Sequence, residues 1–325
     1  MHRAALFGVL HDRLAALGVA VTPSCEVSGR QGGRLLLADG RRLGPFDLIV
    51  DALGTQSPLS PLVARPLPWG ALWTTLDWPD TDLPADRLSQ RYVAARRMVG
   101  VLPVGRLPDG SGPKAAFFWS LRGDGLADWQ RAGLGPWKAE ALAIWPALAP
   151  FLDQITEPGQ MVLARYAHGT LRRPWSDRLV HIGDAAHRAS PQLGQGANMA
   201  LLDAAALAMA LDSAPLDEAL PAYGRRRRGH LALYQALSRF LTPQYQSDSA
   251  AVAWARDRII APVGRIPPLP RLLGAIAAGA LIRPGERRRR GHGNGSRRIG
   301  RRRMGRHRPR RQQGAGRRLD RRARP

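Results

Sequence analysis

The chain has 325 residues, 44% of them hydrophobic, enough to bury one large core or two moderate ones. Its formal charge of +24 suggests a nucleic-acid binder until the charge is located: after Gly285, eighteen arginines against two acids supply +16, leaving +8 for residues 1–285. The charge is therefore mostly a property of the tail, and the single Cys25 excludes an internal disulfide or a cysteine-based zinc site.

The chain opens with "RAALFGVLHDRLAALG", where Leu6, Val9, Leu10, Leu14 and Leu17 fall at helical spacing and Gly18 stops the run. Strand-like pieces follow: "VAVTPSCEV", then "GRLLLADGRRL" with an Asp39-Gly40 turn, then "FDLIVDALG" as a buried strand. From Pro66 to about Ala167 the texture changes. "GALWTTLDW", "RYVAARRMVGVLPVG", "KAAFFWSLR" and "QMVLARYAHGTL" are rich in aromatic and β-branched residues, and helical pattern separates the later ones. This predicts a mostly antiparallel sheet inserted into an α/β domain, with a buried strand at Leu179 returning to that domain. Helices are expected from Met199 to Leu211 and from Pro221 to Leu241, with "GRRRRGH" at Gly224 as a solvated helix face.

The apolar stretch "LLGAIAAGALI" from Leu272 to Ile282 is too short to span a bilayer and reads as a packed helix or a membrane-surface contact. With no signal-peptide pattern and no long apolar run, the expected location is cytoplasmic. The last forty residues, dense in Gly and Arg, cannot bury enough surface to fold. The expected organisation is 1–65 and 176–285 as a partial cofactor domain, 66–175 as the sheet, and 286–325 as a disordered tail.

The most informative stretch is "LVHIGDAAHRASPQLGQGANMALLDAAALAMAL", which reads as strand, glycine-punctuated loop and helix. A helix start offers unpaired N–H groups and a positive dipole end, so the loop suggests a site for an anion or polar cofactor. "GDAAHRASPQLGQGANMALLDA" resembles the second FAD fingerprint of class A flavoprotein monooxygenases, in the p-hydroxybenzoate-hydroxylase-like and ubiquinone-hydroxylase-like branches. The matching positions are Gly183, Asp184, His187, Pro191, Gly194, Gly196, Asn198 and Asp203. "MHRAALFGVL" resembles the family segment whose arginine approaches the flavin, here Arg3. "FDLIVDALGTQS" resembles a further family segment, but Leu53 stands where the family has Asp and Asp51 where it has Gly, which weakens any pyridine-nucleotide contact there.

The resemblance implies an α/β fold with a partial Rossmann-like FAD-binding domain, an inserted antiparallel substrate sheet and C-terminal helices. It implies FAD as cofactor, held by Arg3, Gly183, Asp184, Pro191, Gly194, Gly196, Ala197 and Asn198. It further implies NAD(P)H as reductant and hydroxylation of a small aromatic substrate by O₂, with that substrate near Trp73, Trp78, Phe117, Phe118 and Trp119. Those aromatics read equally well as core, and no general base is assigned. A flavin-dependent reductase or halogenase of the same superfamily is the alternative.

The family's strand–GxGxxG–helix unit, which holds the ADP half of FAD, is not found: "GSGP" leads into a proline and "GHGNGS" lies in the arginine-rich tail. The expectation is an N-terminally truncated gene product, with a frameshifted tail that explains the abrupt Arg–Gly composition. That tail is the rival function, as a non-specific polyanion binder. His168, His181 and His187 read as satisfied structural histidines rather than metal ligands. Ser57 and Ser190 lack a nucleophile-elbow setting.

Overall fold

In a computed structural model the structure describes residues 2–279. The expected tail and the "GHGNGS" stretch lie outside the described residues, as do the last residues of the apolar 272–282 segment. The first helix, α1 (Arg3–Ala16), forms where the apolar spacing predicts it, capped by the His2 side chain, which accepts from the Ala4 amide. Gly18 follows it at φ +68°, a conformation glycine takes without strain. The helix buries no residue, however, and Phe7, Val9, Leu10, Leu14 and Leu17 of its apolar stripe are exposed.

A small antiparallel sheet follows: β1 (Val27–Gln31), β2 (Arg34–Leu37) and β3 (Arg42–Leu43). The strand expected over "VAVTPSCEV" begins only at its last residue, because Pro23 donates no hydrogen bond and no strand pairs with residues 19–26. The buried strand expected at "FDLIVDALG" shortens to β4 (Ile49–Asp51), which leaves Val50 exposed.

The main body is a six-stranded sheet. Its strands are β5 (Arg65–Asp77), β6 (Ser89–Val93), β7 (Arg97–Gly105), β8 (Lys114–Arg122), β9 (Val162–Thr170) and, after a return through the other layer, β12 (His187–Arg188), in the order β12-β9-β5-β8-β7-β6 with antiparallel neighbours. Side chains alternate across a pleated strand, so each strand serves two faces. One face buries Leu72, Val99, Val101, Phe117 and Trp119 against α2 (Leu126–Ala132), α3 (Leu134–Ile144) and α4 (Ala149–Leu152). There Trp137 meets Phe117, Trp119 and Trp129 edge-on, with centroids 5.7–6.1 Å apart, and each such ring contributes about 2–3 kcal/mol on burial.

This face decides part of the substrate expectation. Trp78, Phe117 and Trp119 belong to the helix-covered core. Trp73 and Phe118 take the opposite face, where their rings sit 4.7 Å apart and the Trp73 indole N–H donates to Tyr166 Oη at 3.0 Å.

The return strands β10 (Trp175–Ser176) and β11 (Leu179–His181) complete a second layer in which β11 runs parallel to β4, pairing Leu179 with Ile49 and His181 with Asp51. Every β11 residue is buried, as expected of a parallel strand covered on both sides. Val180 packs under α5 (Gly196–Leu211) and α6 (Leu216–Tyr245), whose alanines let the two helices approach closely. α6 extends beyond the expected ends and keeps Pro221 and Pro243 within it. The chain continues through α7 (Ala250–Ala255), α8 (Ala261–Val263) and α9 (Leu269–Ala277). No helix among the described residues is long and apolar enough to cross a membrane.

The packing of that opposite face of the large sheet depends on Gly100. A Cβ there would fall 2.1 Å from Cζ of Phe118. Gly100→Ala is therefore expected to lower unfolding free energy by about 1–3 kcal/mol, whereas Gly29→Ala, with only Leu36 at 3.9 Å, changes it by less than about 0.5 kcal/mol. Urea denaturation of both variants checks the contrast.

Candidate functional site

The loop between β11 and α5 is built on a buried carboxylate. Asp203, one turn or more inside α5, is fully buried. Its Oδ2 accepts from the Gly183 amide at 2.8 Å and from His187 Nε2 at 2.6 Å, while its Oδ1 accepts from Arg227 Nε at 2.5 Å. Arg227 lies on α6 with 1% of its surface exposed, and it also donates to the Met199 carbonyl at 3.3 Å and to His230 Nδ1 at 3.1 Å. Three segments are thus pinned to one α5 side chain: the turn after β11, strand β12 and the middle of α6.

Arg227 corrects the expectation of a solvated "GRRRRGH" face. Arg225 and Arg228 are exposed, but Arg227 and His230 are buried. The signal was present in the spacing: Leu220, Tyr223, Arg227, His230 and Tyr234 repeat at helical three-four intervals, and all are buried.

The titrations follow from this packing. Burial opposes ionisation of Asp203, but the His187 hydrogen bond, with the charges of His187 and Arg227, outweighs it and holds the carboxyl below its ordinary range. Burial, then the charge of Arg227, pushes His230 down to about 4. Neutral His230 is also what an acceptor role for Nδ1 requires.

A second buried carboxylate, Asp51, accepts from Ser57 Oγ at 2.7 Å and from the Leu53 amide at 3.1 Å, and lies 2.7 Å from His181 Nδ1. The parallel register of β4 and β11 places that pair side by side. Burial again opposes ionisation and is outweighed by the hydrogen bonds of His181 and Ser57. Asp51, the departure from the family pattern, therefore holds the two parallel strands together. A third set joins His168 Nε2 to Ser238 Oγ at 3.1 Å, Ser238 to Ser190 Oγ at 2.9 Å and Ser190 to Thr242 Oγ1 at 2.5 Å. His168, His181 and His187 each have such a partner, as satisfied structural histidines do.

Above these anchors the loop itself is open. Gly183 (φ +58°) is buried, whereas Asp184, Pro191, Gly194, Gly196 and Ala197 are exposed. Gly194 closes a short 3₁₀ turn at φ +63°, and a Cβ on Gly194 or Gly196 would meet nothing within 4 Å. α5 starts at Gly196 with no side-chain cap, so the amides of Gly196, Ala197 and Asn198 have no acceptor among the described residues. Asn198 is not the cap; it sits in the first turn and donates to Gln195 Oε1 at 2.7 Å, and Gln195 in turn donates to the carbonyl of Ala277, the last residue of α9. Arg3 opens α1 and is exposed, with no hydrogen bond to this loop among the described residues. The structure thus brings together Gly183, Asp184, Pro191, Gly194, Gly196, Ala197 and Asn198 in one loop.

An open, side-chain-free cradle with three free amides at the positive end of a sixteen-residue helix, beside an Asp184 carboxylate that has no partner among the described residues, suits an electron-rich ring carrying a hydroxylated chain. The FAD binding domain family matches residues 139–233, which contain this loop. Over 281 residues the chain is 29% identical to an aurachin C monooxygenase/isomerase from Stigmatella aurantiaca, covering 80% of this chain and 68% of that protein. It is 40% identical over 111 residues to the ubiquinone hydroxylase UbiL of Rhodospirillum rubrum, covering 32% of this chain and 26% of the relative. The chain therefore spans from about a quarter to about two thirds of these two relatives' lengths.

Among solved structures, HpxO of Klebsiella pneumoniae, complexed with FAD and uric acid, aligns with a TM-score of 0.67 at 17% identity, over 84% of this chain and 70% of that one. PqsL of Pseudomonas aeruginosa, in complex with 2-aminobenzoylacetate, aligns at 0.63 and 21% identity, over 78% and 71%. These likenesses show the fold.

Two outcomes are expected from the anchor. Asp203→Asn leaves Arg227 buried without its counter-charge and costs about 3–5 kcal/mol in urea denaturation. Because folded His230 titrates near 4, against 6.5 for a free histidine, its contribution to stability is complete above about pH 6.5 and is lost as pH falls towards 4. Stability is therefore expected to decline across that window in urea titrations, and His230→Gln to flatten the decline.

Proposed function

We propose, for a chain related to the class A FAD-dependent monooxygenases, that the 183–198 loop holds the ribityl and ring portion of FAD and that the chain's chemistry is monooxygenation of a small aromatic molecule. The observation that carries this reading is the empty space above Gly194 and Gly196 beside the unpaired amides of Ala197 and Asn198. Backbone can approach a flat ring only where side chains are missing.

In this reading Asp184 accepts from a ribityl hydroxyl, and the Gly196, Ala197 and Asn198 amides face the electron-rich edge of the ring. Pro191 and Gly194 shape the turn beneath it, and Gly183 holds the turn in place through Asp203. Arg3, on α1, is a contact only with the cofactor's outer edge. Bound flavin supplies the redox and oxygen chemistry, with NAD(P)H as the reductant. The protein's part is to orient the ring and exclude water.

The substrate would lie towards the sheet face opposite the covering helices, beside Trp73, Phe118 and Tyr166. Support comes from the tie between turn and sheet: Gln192 donates to Gln246 Oε1 at 3.0 Å, and Gln246 donates to the Gly70 carbonyl on β5 at 2.8 Å. Relatives of this fold carrying 2-aminobenzoylacetate and uric acid favour a flat, conjugated substrate. No observation favours the reductase or halogenase alternative.

The described residues offer a cradle for the ring end of the cofactor and no GxGxxG turn for the ADP end. Riboflavin and FAD are therefore expected to bind within a few-fold of each other, read by quenching of flavin fluorescence on titration with the chain. Gly196→Val, which fills the cradle, is expected to weaken both by about tenfold or more. Binding of FAD with Gly196→Val indistinguishable from the unsubstituted chain would refute the placement.

A further inference from the structure

Beyond α6 the chain is firmly attached at two points. Arg256 lies in the π-helical turn Arg256–Ile260 that joins α7 to α8; it is buried and donates to the carbonyls of Ala94 and Gln244 at 3.0 and 2.7 Å. Its guanidinium also sits 5.7 Å from the ring centres of Tyr92 and Tyr245. Farther on, Ile276 of α9 is buried with Met199, Leu231 and Tyr234, and its carbonyl accepts from Tyr234 Oη at 3.1 Å.

A segment held in this way nevertheless leaves large apolar side chains in solvent. Trp254, Ile259, Val263, Ile266, Leu272 and Leu273 are each between 42% and 61% exposed. The end of α8 lies against α9, since a Cβ on Gly264 would fall 3.6 Å from Leu273 Cδ1. Six such residues within one stretch of twenty form a cluster rather than the scattered apolar side chains of an ordinary surface.

The charge around this cluster is of one sign. Residues 250–279 contain four arginines and one acid, and that acid, Asp257, is paired with the anchoring Arg256. Arg258, Arg265 and Arg271 are exposed, and none of them forms an ion pair or hydrogen bond among the described residues. After Gly285 the sequence adds eighteen arginines against two acids. A second copy of the chain meeting this strip about a two-fold axis would set arginines against arginines. A nucleic acid would meet the arginines but offer phosphate to the isoleucines and leucines. A bilayer with anionic headgroups meets both, and an indole such as that of Trp254 suits its interface.

We propose that the strip from Trp254 to Leu273 lies on the surface of an anionic lipid bilayer, with its apolar side chains below the headgroups and Arg258, Arg265 and Arg271 among the phosphates. The contact is interfacial, because no helix among the described residues is long and apolar enough to cross. It needs no flavin, so it stands or falls independently of the monooxygenase reading.

Vesicles of phosphatidylcholine containing about 30% phosphatidylglycerol, compared with pure phosphatidylcholine, test this on the full chain. An environment-sensitive nitrobenzoxadiazole label is placed on Ile266→Cys, with Cys25→Ser to leave a single thiol. The control carries the same label on Val63→Cys, a position 93% exposed. The label at 266 is expected to shift to the blue and brighten several-fold with the anionic vesicles, while the label at 63 does not respond. Partitioning into pure phosphatidylcholine is expected to be weaker by about tenfold or more. Trp254→Ser/Leu273→Ser is expected to weaken partitioning into the anionic vesicles by about tenfold or more, with its thermal midpoint unchanged. Sedimentation with vesicles without any response at 266 would mean adsorption of the arginine-rich sequence alone and would overturn the proposal. So would equal partitioning into pure phosphatidylcholine, a response at 266 to polyuridylate or to concentrating the protein without vesicles, or undiminished partitioning of the double serine variant.

Discussion

One buried carboxylate fixes the shape of everything above it. Asp203 has no solvent contact, so its charge must be met inside the protein, and the Gly183 amide, His187 and Arg227 meet it. Each partner belongs to a different segment. Moving any of them would strand a buried charge, so the turn after β11, strand β12 and the middle of α6 are held in one arrangement around α5. Four-alanine spacing along α5 and the flat fit of Gly224 against Trp175 then allow the helices to close over Val180.

The rigidity below allows openness above. Loop residues normally gain order from their own side chains, but at Gly194 and Gly196 there are none, and the α5 amides carry no cap. A turn that is held from beneath can leave its upper surface free for a flat ligand. The same economy does not extend to α1, whose apolar stripe faces solvent among the described residues, or to the open side of β4. Those surfaces contribute nothing to the anchor and are the parts of the protein whose packing the described residues leave incomplete.

Much of this was legible in the sequence because it depended on local rules. The glycine-punctuated turn, the buried strand at Leu179 and the alternating aromatic strands are written in spacing alone. Where tertiary partners decide, the sequence was silent or misleading. The run of arginines at 225–228 looks uniformly solvated until the helix phase shows that Arg227 shares a face with Tyr223 and His230. Asp51 looked like a damaged cofactor segment because its partner, His181, is 130 residues away and reaches it only through parallel pairing. Period-two alternation could not say which of Trp73 and Trp119 faces helices, since that depends on which side α2 and α3 cover.

The central claim is that a turn anchored from below by Asp203 presents a ring-sized, side-chain-free surface at Gly194 and Gly196. The most direct measurement is a crystal structure of the chain soaked with riboflavin. The account predicts a planar ring resting on that turn, with Asp203, His187 and Arg227 in contact as they are without ligand. A ring seated elsewhere, or a turn whose surface is filled by protein side chains, would contradict it.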